Sequence, residues 1–364
     1  MKIRVTQAKL AHALTLVGRV ASSRSALPVL ANVLLRANKN TITVIATNLE
    51  IAITQTIPGQ IGKEGAITIP ARLLSDFVSS LPDEPIDMEL KDSRLSVATK
   101  NYSSVINGVP AEEFPSLPTI NGGKSLSIAA PDLKQAIHQT VLAAGTDETR
   151  PVLTGGYLHA EDGKVLLAAT DSYRLAEKRL NTKASDNFGL IVPASALGDV
   201  LRIIGDEEGE VKITYSDSQT QFVLGDSQLI TRQIEGSFPA YRQLIPPSSD
   251  VNLSVNTQEF TNIAKVAALF ARESAGSITL KVSEKDQRVS IDSVASQVGE
   301  NTSSAPAKVK GEGQVTLNSR YLLDALGVIE SEQVAFRFSG KVSPCVLSPA
   351  GDDSYNHIIM PLKS

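Results

Sequence analysis

The sequence is poor in the residues that build reactive sites. It has one cysteine, Cys345, and no tryptophan, and aromatic residues make up only 4% of its 364 positions. A single cysteine cannot form a disulfide within the chain. The four histidines, His12, His138, His159 and His357, are scattered without the spacing of metal ligands, so we expect no metal site and no cofactor. The sequence also lacks a phosphate-binding loop, a dinucleotide fingerprint and the short motifs of zinc proteases and serine hydrolases.

Signals for membranes and for secretion are missing as well. No run approaches the roughly 18 apolar residues that a membrane span needs. The N-terminus alternates charged and apolar residues, as a strand does, and no secretory apolar core follows it. We therefore expect a cytoplasmic protein.

Charge is unevenly distributed along the chain. The net charge of −4 argues against a surface coated with basic residues for binding nucleic acid. Residues 1–49 nevertheless contain basic residues and no acidic one, since the first acidic residue is Glu50. This segregation allows a local positive face on an acidic molecule, although chance accounts for it equally well.

One pattern occurs three times at a fixed spacing. A strand, a short polar turn and a returning strand are predicted at 41–53 and 165–180, with a weaker copy at 289–296. Thr170 lies 123 residues after Thr47, and Ser293 lies 123 residues after Thr170. A repeat of this length predicts three similar domains in tandem, which we place at 1–120, 121–247 and 248–364.

Each repeat also contains two stretches with helical periodicity. Thr6 and Asn256 are in position to cap two of these helices, and Pro70, Pro193 and Asn318 precede three others. The predicted buried faces are Leu10, Leu14 and Val17; Leu73, Leu74, Phe77, Val78 and Leu81; Leu133, Ile137 and Val141; Leu197, Val200, Leu201 and Ile204; Phe260, Ile263, Ala267 and Phe270; and Leu322, Ala325 and Ile329. With the strands between them, including one predicted at 27–35, these helices indicate an α+β fold built three times.

Two features leave the function open. Asp171 and Arg174 could be an acid–cation pair in an active site, although a Thr-Asp-Ser turn is more often structural. The apolar C-terminal segment 358–362 is either a strand held in a sheet or one side of a groove for a partner's apolar side chains.

Several spaced segments resemble one family. They are Ala46-Thr-Asn-Leu-Glu50, Ala169-Thr-Asp-Ser-Tyr-Arg-Leu175, Ile191-Val-Pro193, Gly236-Ser-Phe-Pro-Ala-Tyr-Arg242 and Ile359-Met-Pro-Leu362. Together they extend over all three repeats, and the full chain resembles the bacterial sliding clamps, the β subunits of the replicative DNA polymerase III holoenzyme.

The resemblance implies a processivity factor for DNA replication rather than an enzyme. Two chains would form a head-to-tail homodimer, a six-domain ring whose helices surround double-stranded DNA without sequence specificity. The DNA polymerase catalytic subunit, the clamp loader and repair proteins would bind it through short linear peptides. Such a protein works at the nucleoid, within the cytoplasm.

The resemblance also implies three sets of residues. The peptide-binding groove maps to Leu153, Thr170, Ser172, Tyr173, Arg174, Leu175, Pro239, Leu244, Val342, Pro344, Ile358, Met360, Pro361 and Leu362. DNA binding maps to Arg24, Arg72, Arg150, Arg202, Arg19 and Lys265, and the dimer interface to Val105, Ile106, Ala268, Leu269 and Phe270. Ser172-Tyr173 replaces the Gly-His pair that is commoner in the family at that turn.

Two alternatives stand beside the clamp. One is a three-domain enzyme that acts on a small ligand near Asp171, Arg174 and His159. The other is a ring-shaped scaffold without a role on DNA, for which an uncharged central hole would be expected.

Overall fold

The computed structural model describes residues 1–21, 27–120, 122–295 and 299–362. The helices in these residues are α1 (Gln7–Val17), α2 (Ala71–Ser80), α3 (Ala130–Thr140), α4 (Ala194–Ile204), α5 (Thr257–Phe270) and α6 (Ser319–Leu326). The first ten strands are β1 (Lys2–Thr6), β2 (Asn32–Asn38), β3 (Thr41–Thr47), β4 (Ile51–Pro58), β5 (Gln60–Lys63), β6 (Gly65–Pro70), β7 (Pro85–Lys91), β8 (Arg94–Ala98), β9 (Ser103–Asn107) and β10 (Lys124–Ala129).

The remaining strands follow in the second half of the chain. They are β11 (Gly155–Glu161), β12 (Lys164–Thr170), β13 (Arg174–Lys183), β14 (Phe188–Pro193), β15 (Glu210–Tyr215), β16 (Gln219–Leu224), β17 (Ser227–Arg232), β18 (Val251–Asn256), β19 (Ser277–Ser283), β20 (Arg288–Ala295), β21 (Gly299–Lys310), β22 (Gly313–Asn318), β23 (Gln333–Phe338), β24 (Cys345–Pro349) and β25 (Tyr355–Ile359). Every strand pair in the sheets is antiparallel, which agrees with the α+β prediction.

The chain divides into two compact units. Unit 1 comprises Met1–Pro131 and Ser195–Gln233, and unit 2 comprises Asp132–Ala194 and Ile234–Ser364. The second predicted repeat therefore contributes residues to both units, because its strands pair with those of its neighbours. The domain bounds inferred from the repeat stay a prediction.

Unit 1 contains two sheets. One has the strand order β5-β1-β7-β8-β9, and the other has the order β10-β15-β16-β17-β4-β3-β2-β6. In the larger sheet, β17 pairs with β4, with Thr231 opposite Ile51. Strands of the first and second repeats therefore share one sheet.

Unit 2 has one sheet of twelve strands, in the order β14-β11-β12-β13-β25-β24-β23-β18-β21-β20-β19-β22. The same kind of junction recurs here, because β13 pairs with β25 and places Leu175 opposite Ile358. The main apolar core lies beneath α5 and α6, where Phe260 packs against Phe336. The pairing of β13 with β25 thus fixes residues 174–178 beside residues 355–359, which are far away in sequence.

Helix boundaries follow the local chemistry of the sequence. Asn256 accepts a hydrogen bond from the backbone N–H of Glu259, and Asn318 accepts one from Arg320, so both asparagines cap the helices that follow them. Pro70 occupies the corresponding position before α2, where its missing N–H leaves no bond unmade. Thr6 stands at the cap position of α1, but its side chain makes no capping hydrogen bond.

Some sequence predictions are wrong in detail. Leu73 is 54% exposed, because α2 buries Ala71, Leu74 and Val78 and these positions, three and four residues apart, leave Leu73 on the outer side. The strand predicted at 27–35 begins only at Asn32, since a 3₁₀ turn with Pro28 at its start precedes it. Other members of the predicted stripes that are only partly buried are Phe77, Val141, Leu201 and Phe270.

None of the helices in the described part of the chain is long and apolar enough to cross a membrane.

Asn256 and Thr6 provide a matched test of capping. Asn256→Ala should lower the local opening free energy of α5 by about 1 kcal/mol, because the N–H of Glu259 loses its acceptor. Thr6→Ala should leave α1 unchanged within a few tenths of a kcal/mol. Hydrogen–deuterium exchange of the first-turn amides measures both. Equal protection of α5 in the wild type and in Asn256→Ala would contradict the capping assignment.

Candidate functional site

The turn between β12 and β13 is held by side-chain hydrogen bonds to its own backbone. The Thr170 hydroxyl donates to the carbonyl of Arg174 at 2.6 Å and accepts from the N–H of Ser172 at 3.1 Å. Asp171 Oδ1 accepts the N–H groups of Tyr173 and Arg174, both at 2.9 Å. Asp171 therefore shapes the turn, as the sequence favours.

Unit 1 contains the same turn between β3 and β4. The Thr47 hydroxyl donates to the carbonyl of Ile51 at 2.9 Å and accepts from the N–H of Leu49 at 3.0 Å. Asn48 Oδ1 accepts from Glu50 at 3.0 Å and from Ile51 at 2.8 Å. An amide oxygen thus replaces the carboxylate oxygen without a change in the pattern, so the charge of Asp171 is not required for the bend.

Both turns place a non-glycine residue in the left-handed region. Ser172 has φ 80° and Leu49 has φ 78°. Glycine adopts this region without steric cost, whereas other residues are strained there. The hydrogen bonds of the turn hold Ser172 in this conformation and direct Tyr173 outward, where it is 65% exposed.

Arg174 is a buried cation with three partners. Its Nε lies 3.0 Å from Asp171 Oδ2, and its Nη1 lies 2.5 Å from Asp324 Oδ2. The guanidinium carbon lies 4.6 Å from the ring centre of Tyr321, a cation–π distance. The side chain of Arg174 therefore pairs with both carboxylates and ties the turn to α6.

The C-terminal strand continues past the turn. Met360 donates its backbone N–H to the carbonyl of Tyr173 at 2.8 Å, and Leu362 donates to the carbonyl of Thr316 at 2.8 Å. Pro344 flanks Met360, because Cys345 is opposite Ile359 in the pairing of β24 with β25. Segment 358–362 is thus held in a sheet, as one of the two sequence alternatives states, and its role as one side of a groove stays a prediction.

The floor of this groove is apolar. Leu175 and Ile358 belong to a small buried cluster with Ala168, Val346 and Tyr241, against which Phe238, Tyr157 and Ile245 also pack. Tyr241 begins the 3₁₀ turn Tyr241–Leu244, which follows Pro239. Tyr241 therefore packs loop 239–244 against the strands that carry Leu175 and Ile358.

Burial divides the predicted groove residues into a floor and a rim. The buried members are Leu153, Thr170, Arg174, Leu175 and Ile358. The exposed members are Ser172, Tyr173, Pro239, Leu244 and Val342, and the half-buried ones are Pro344, Met360, Pro361 and Leu362. Val342 projects from the loop before β24 and is 77% exposed.

A buried polar network fixes loop 239–244 to the sheet. The Tyr241 hydroxyl donates to Glu177 at 2.6 Å, and His159 Nε2 lies 2.9 Å from the hydroxyl oxygen. Burial, together with the nearby charge of Arg242, lowers the pKa of His159 to about 4. His159 is therefore neutral near pH 7.

Three of the predicted DNA-binding arginines come together in unit 1. Arg19 and Arg72 line a cleft of about 460 Å³ between α1 and α2. Arg202, on α4, pairs with Asp199 at 2.6 Å. Burial raises the pKa of the Asp199 carboxyl, and the charges of Arg202 and Arg19 oppose that rise, so Asp199 lies within electrostatic reach of both arginines.

The other predicted DNA-binding residues are placed differently. Arg150 donates from Nη1 to the hydroxyl of Ser172 at 2.8 Å, which places it at the groove turn. Lys265 is exposed on α5 of unit 2. Arg24 lies outside the described residues.

The predicted interface residues lie on two elements. Val105 is 53% exposed on β9, an edge strand of unit 1, whereas its neighbour Ile106 is buried. On α5, Leu269 is exposed, and Ala268 and Phe270 are half-buried.

Comparisons with known proteins agree with this geometry. Models of the N-terminal, central and C-terminal domains of the DNA polymerase III beta subunit match residues 1–118, 127–240 and 242–363. The chain belongs to the DNA polymerase III beta subunit family.

Relatives match over the full chain. The beta sliding clamp of Synechococcus elongatus is 32% identical over 373 residues, which cover 100% of this chain and 99% of that protein. The sliding clamp structure from Bacillus subtilis has a TM-score of 0.94 at 27% identity and covers 100% of this chain and 99% of its own. The DNA polymerase III subunit beta from Pseudomonas aeruginosa has a TM-score of 0.94 at 28% identity, with 100% of both chains covered.

Family membership confirms the α+β fold of three similar clamp domains in tandem. It gives no support to a small-ligand enzyme near Asp171 and Arg174. The side chains of these two residues form an ion pair, and Asp171 also accepts backbone hydrogen bonds of the turn. No cluster of three or more potential metal ligands occurs among the described residues.

Sequence reasoning missed several residues at these sites. Tyr321 and Asp324, which enclose Arg174, come from a helix about 150 positions away, so no local pattern signals them. Arg320 could have been found from the repeat, because it follows Asn318 by two residues as Arg72 follows Pro70.

The turn gives a graded stability prediction. Asp171→Asn should keep both backbone hydrogen bonds, as Asn48 does in unit 1, but its amide N–H₂ then faces the Nε–H of Arg174, so it should cost about 1 kcal/mol while Asp324 still pairs with Arg174. Asp171→Ala should cost about 1–3 kcal/mol, because two N–H groups and part of the Arg174 charge lose their partner.

Denaturant titration of both variants measures the difference. Equal destabilisation by Asp171→Asn and Asp171→Ala would show that the charge, and not the hydrogen-bonded turn, is what the fold needs at this position.

Proposed function

We propose that this chain is a DNA sliding clamp. Two copies close head to tail into a ring of six domains around double-stranded DNA, and the ring tethers the replicative polymerase during synthesis. The observation that carries the proposal is that all three domains match the family and that the groove-forming segments of the central and C-terminal domains come together. The ring does its work at the nucleoid, in the cytoplasm.

The clamp has no catalytic task of its own. The carboxylates nearest the groove are committed to structure, because Asp171 and Asp324 both pair with Arg174. What the chain supplies is binding, and a ring retains DNA by enclosing it rather than by high affinity. A net charge of −4 is compatible with this role, since only the residues that face the DNA need to be basic.

DNA contacts are made to phosphates by the arginines and lysine predicted from the sequence. The cleft between α1 and α2 presents Arg19 and Arg72 together, and Asp199 lies within electrostatic reach of both Arg19 and Arg202. Arg320, at the repeat-equivalent position of Arg72, joins this set. Contacts to phosphates carry no sequence information, so the ring slides freely.

The groove binds short linear peptides from the polymerase catalytic subunit, the clamp loader and repair proteins. Its floor at Leu175 and Ile358 accepts leucine or phenylalanine side chains. Met360, which is half-buried on the rim, adapts to side chains of different shape. Backbone groups and Arg174 next to the turn suit a glutamine at the polar end of the peptide.

Ring closure joins two exposed strand edges from different copies. β9 ends the five-stranded sheet of unit 1, with Val105 exposed on it. In unit 2, residues 299–306 of β21 pair with β20 on one side, whereas β18 pairs only with 307–310. The other side of β21 is therefore open to a strand of a second copy, with Leu269 and its neighbours on α5 completing the contact.

Removing the C-terminal rim tests the groove. Deletion of residues 360–364 should abolish peptide binding, because it removes Met360 and Leu362 with their bonds to the turn and to β22. Leu244→Ala should weaken binding by about tenfold through lost apolar contact, whereas Leu73→Ala, an exposed leucine outside the groove, should have no effect. Fluorescence anisotropy with a labelled peptide measures affinity.

The dimer should survive the same deletion, because neither proposed interface edge includes these residues. Native mass spectrometry provides this control. Peptide affinity that persists after the deletion would refute the groove assignment.

A further inference from the structure

A cavity of about 530 Å³ lies in unit 2 next to the groove. Its walls come from β11, from the start of β14 and from loop 238–243, and Pro239 borders both the cavity and the groove. Its volume is within the range of sites that bind ligands. The residues implied for the peptide groove include none of its other wall residues.

The cavity and the groove share one apolar cluster. Leu175 and Ile358, on the floor of the groove, pack in the same cluster as Tyr241, Tyr157 and Phe238, which line the cavity. The floor of the groove and the inner wall of the cavity are therefore parts of one packed apolar cluster.

The aromatic wall of the cavity is rigid. Tyr157 stacks on His159 with ring centres 4.5 Å apart and on Phe238 at 4.8 Å. The ring of Tyr241 packs edge-on against His159 and against Phe238, with ring centres 6.0 Å apart in each case. Its hydroxyl is hydrogen-bonded to Glu177 and lies 2.9 Å from His159 Nε2. A preformed wall of this kind loses little conformational entropy when a ligand binds.

The polar side of the cavity has an excess of negative charge. Arg242 is shared by two carboxylates, since its Nη1 lies 3.1 Å from Glu161 and its Nε lies 3.6 Å from Glu177. The neutral His159 adds no positive charge near pH 7. Glu161 is half exposed at the rim, so its carboxylate retains room for a second cation.

We propose that this cavity extends the peptide groove and receives an arginine or lysine side chain that flanks the groove-bound segment of a partner. The cation pairs with Glu161, and its stem or guanidinium lies against the ring of Phe238. The inference rests on the proposed peptide groove, but it adds a contact that the groove alone does not make. Partners with a basic flank are then favoured over partners with a neutral or acidic one.

Synthetic peptides with one core test the proposal on the full-length dimer. The core carries a glutamine and spaced leucine and phenylalanine residues. In one set of peptides arginine, alanine or glutamate precedes the core, and in a second set the same three residues follow it. At one of the two ends, arginine should tighten binding about three- to tenfold relative to alanine, and glutamate should weaken it. Fluorescence anisotropy at fixed salt gives the affinities.

Two matched variants locate the effect. Glu161→Gln should remove the arginine preference and leave the alanine-flanked peptide unchanged, because the freed Arg242 then repels the flank. Glu330→Gln makes the same change at an exposed position away from the cavity and should preserve the preference.

An arginine flank that gives no gain at either end, or a gain that survives Glu161→Gln, overturns the cavity assignment while the groove stands. Loss of the gain in Glu330→Gln overturns it too, since the preference would then reflect overall charge. If the alanine-flanked core fails to bind the wild-type dimer, the groove itself is refuted, and the extension with it.

Discussion

The antiparallel pairing of β13 with β25 is the constraint on which the candidate groove depends. It places Leu175 opposite Ile358, brings Met360 to the carbonyl of Tyr173, and sets the turn beside the C-terminal segment. The pairing is specific because a shift of one residue would exchange Leu175 and Ile358, which pack in one apolar cluster, with Ala176 and Ile359, which pack in the core on the other face. An equivalent junction between β4 and β17 in unit 1 shows that the arrangement belongs to the repeat.

The two junctions differ in what surrounds the turn rather than in the turn itself. Asn48 and Asp171 make the same backbone hydrogen bonds, but only Asp171 carries a charge that pairs with a buried arginine. Arg174 in turn reaches Asp324 and Tyr321 on α6. A common structural turn thus becomes part of the proposed binding site through the side chains around it.

Local features of the sequence were predictable, and long-range ones were not. The repeat located the turns at Asn48 and Asp171, and the capping residues Asn256 and Asn318 located two helix starts, because these signals depend on neighbouring residues alone. The weaker third copy at 289–296 was predicted wrongly, since β20 runs as one strand through its described residues, 289–295. The burial of Leu73 was predicted wrongly, since an apolar residue at the edge of a stripe is buried only if a neighbour covers it. The partners of Arg174 and the open edge of β21 depend on strand pairing and helix packing, which a sequence pattern does not contain.

A ring that encloses DNA should stay on a closed DNA circle and leave a linear molecule, and this retention can be measured directly. Labelled dimer is loaded with a clamp loader and ATP onto a nicked circular plasmid, washed in high salt, and counted before and after the plasmid is cut once. Enclosure predicts retention on the circle and loss from the linear molecule, because a ring that holds DNA by topology slides off a free end. Equal retention on both forms, or release from the intact circle in high salt, would contradict it, since salt breaks phosphate contacts but cannot open a closed ring.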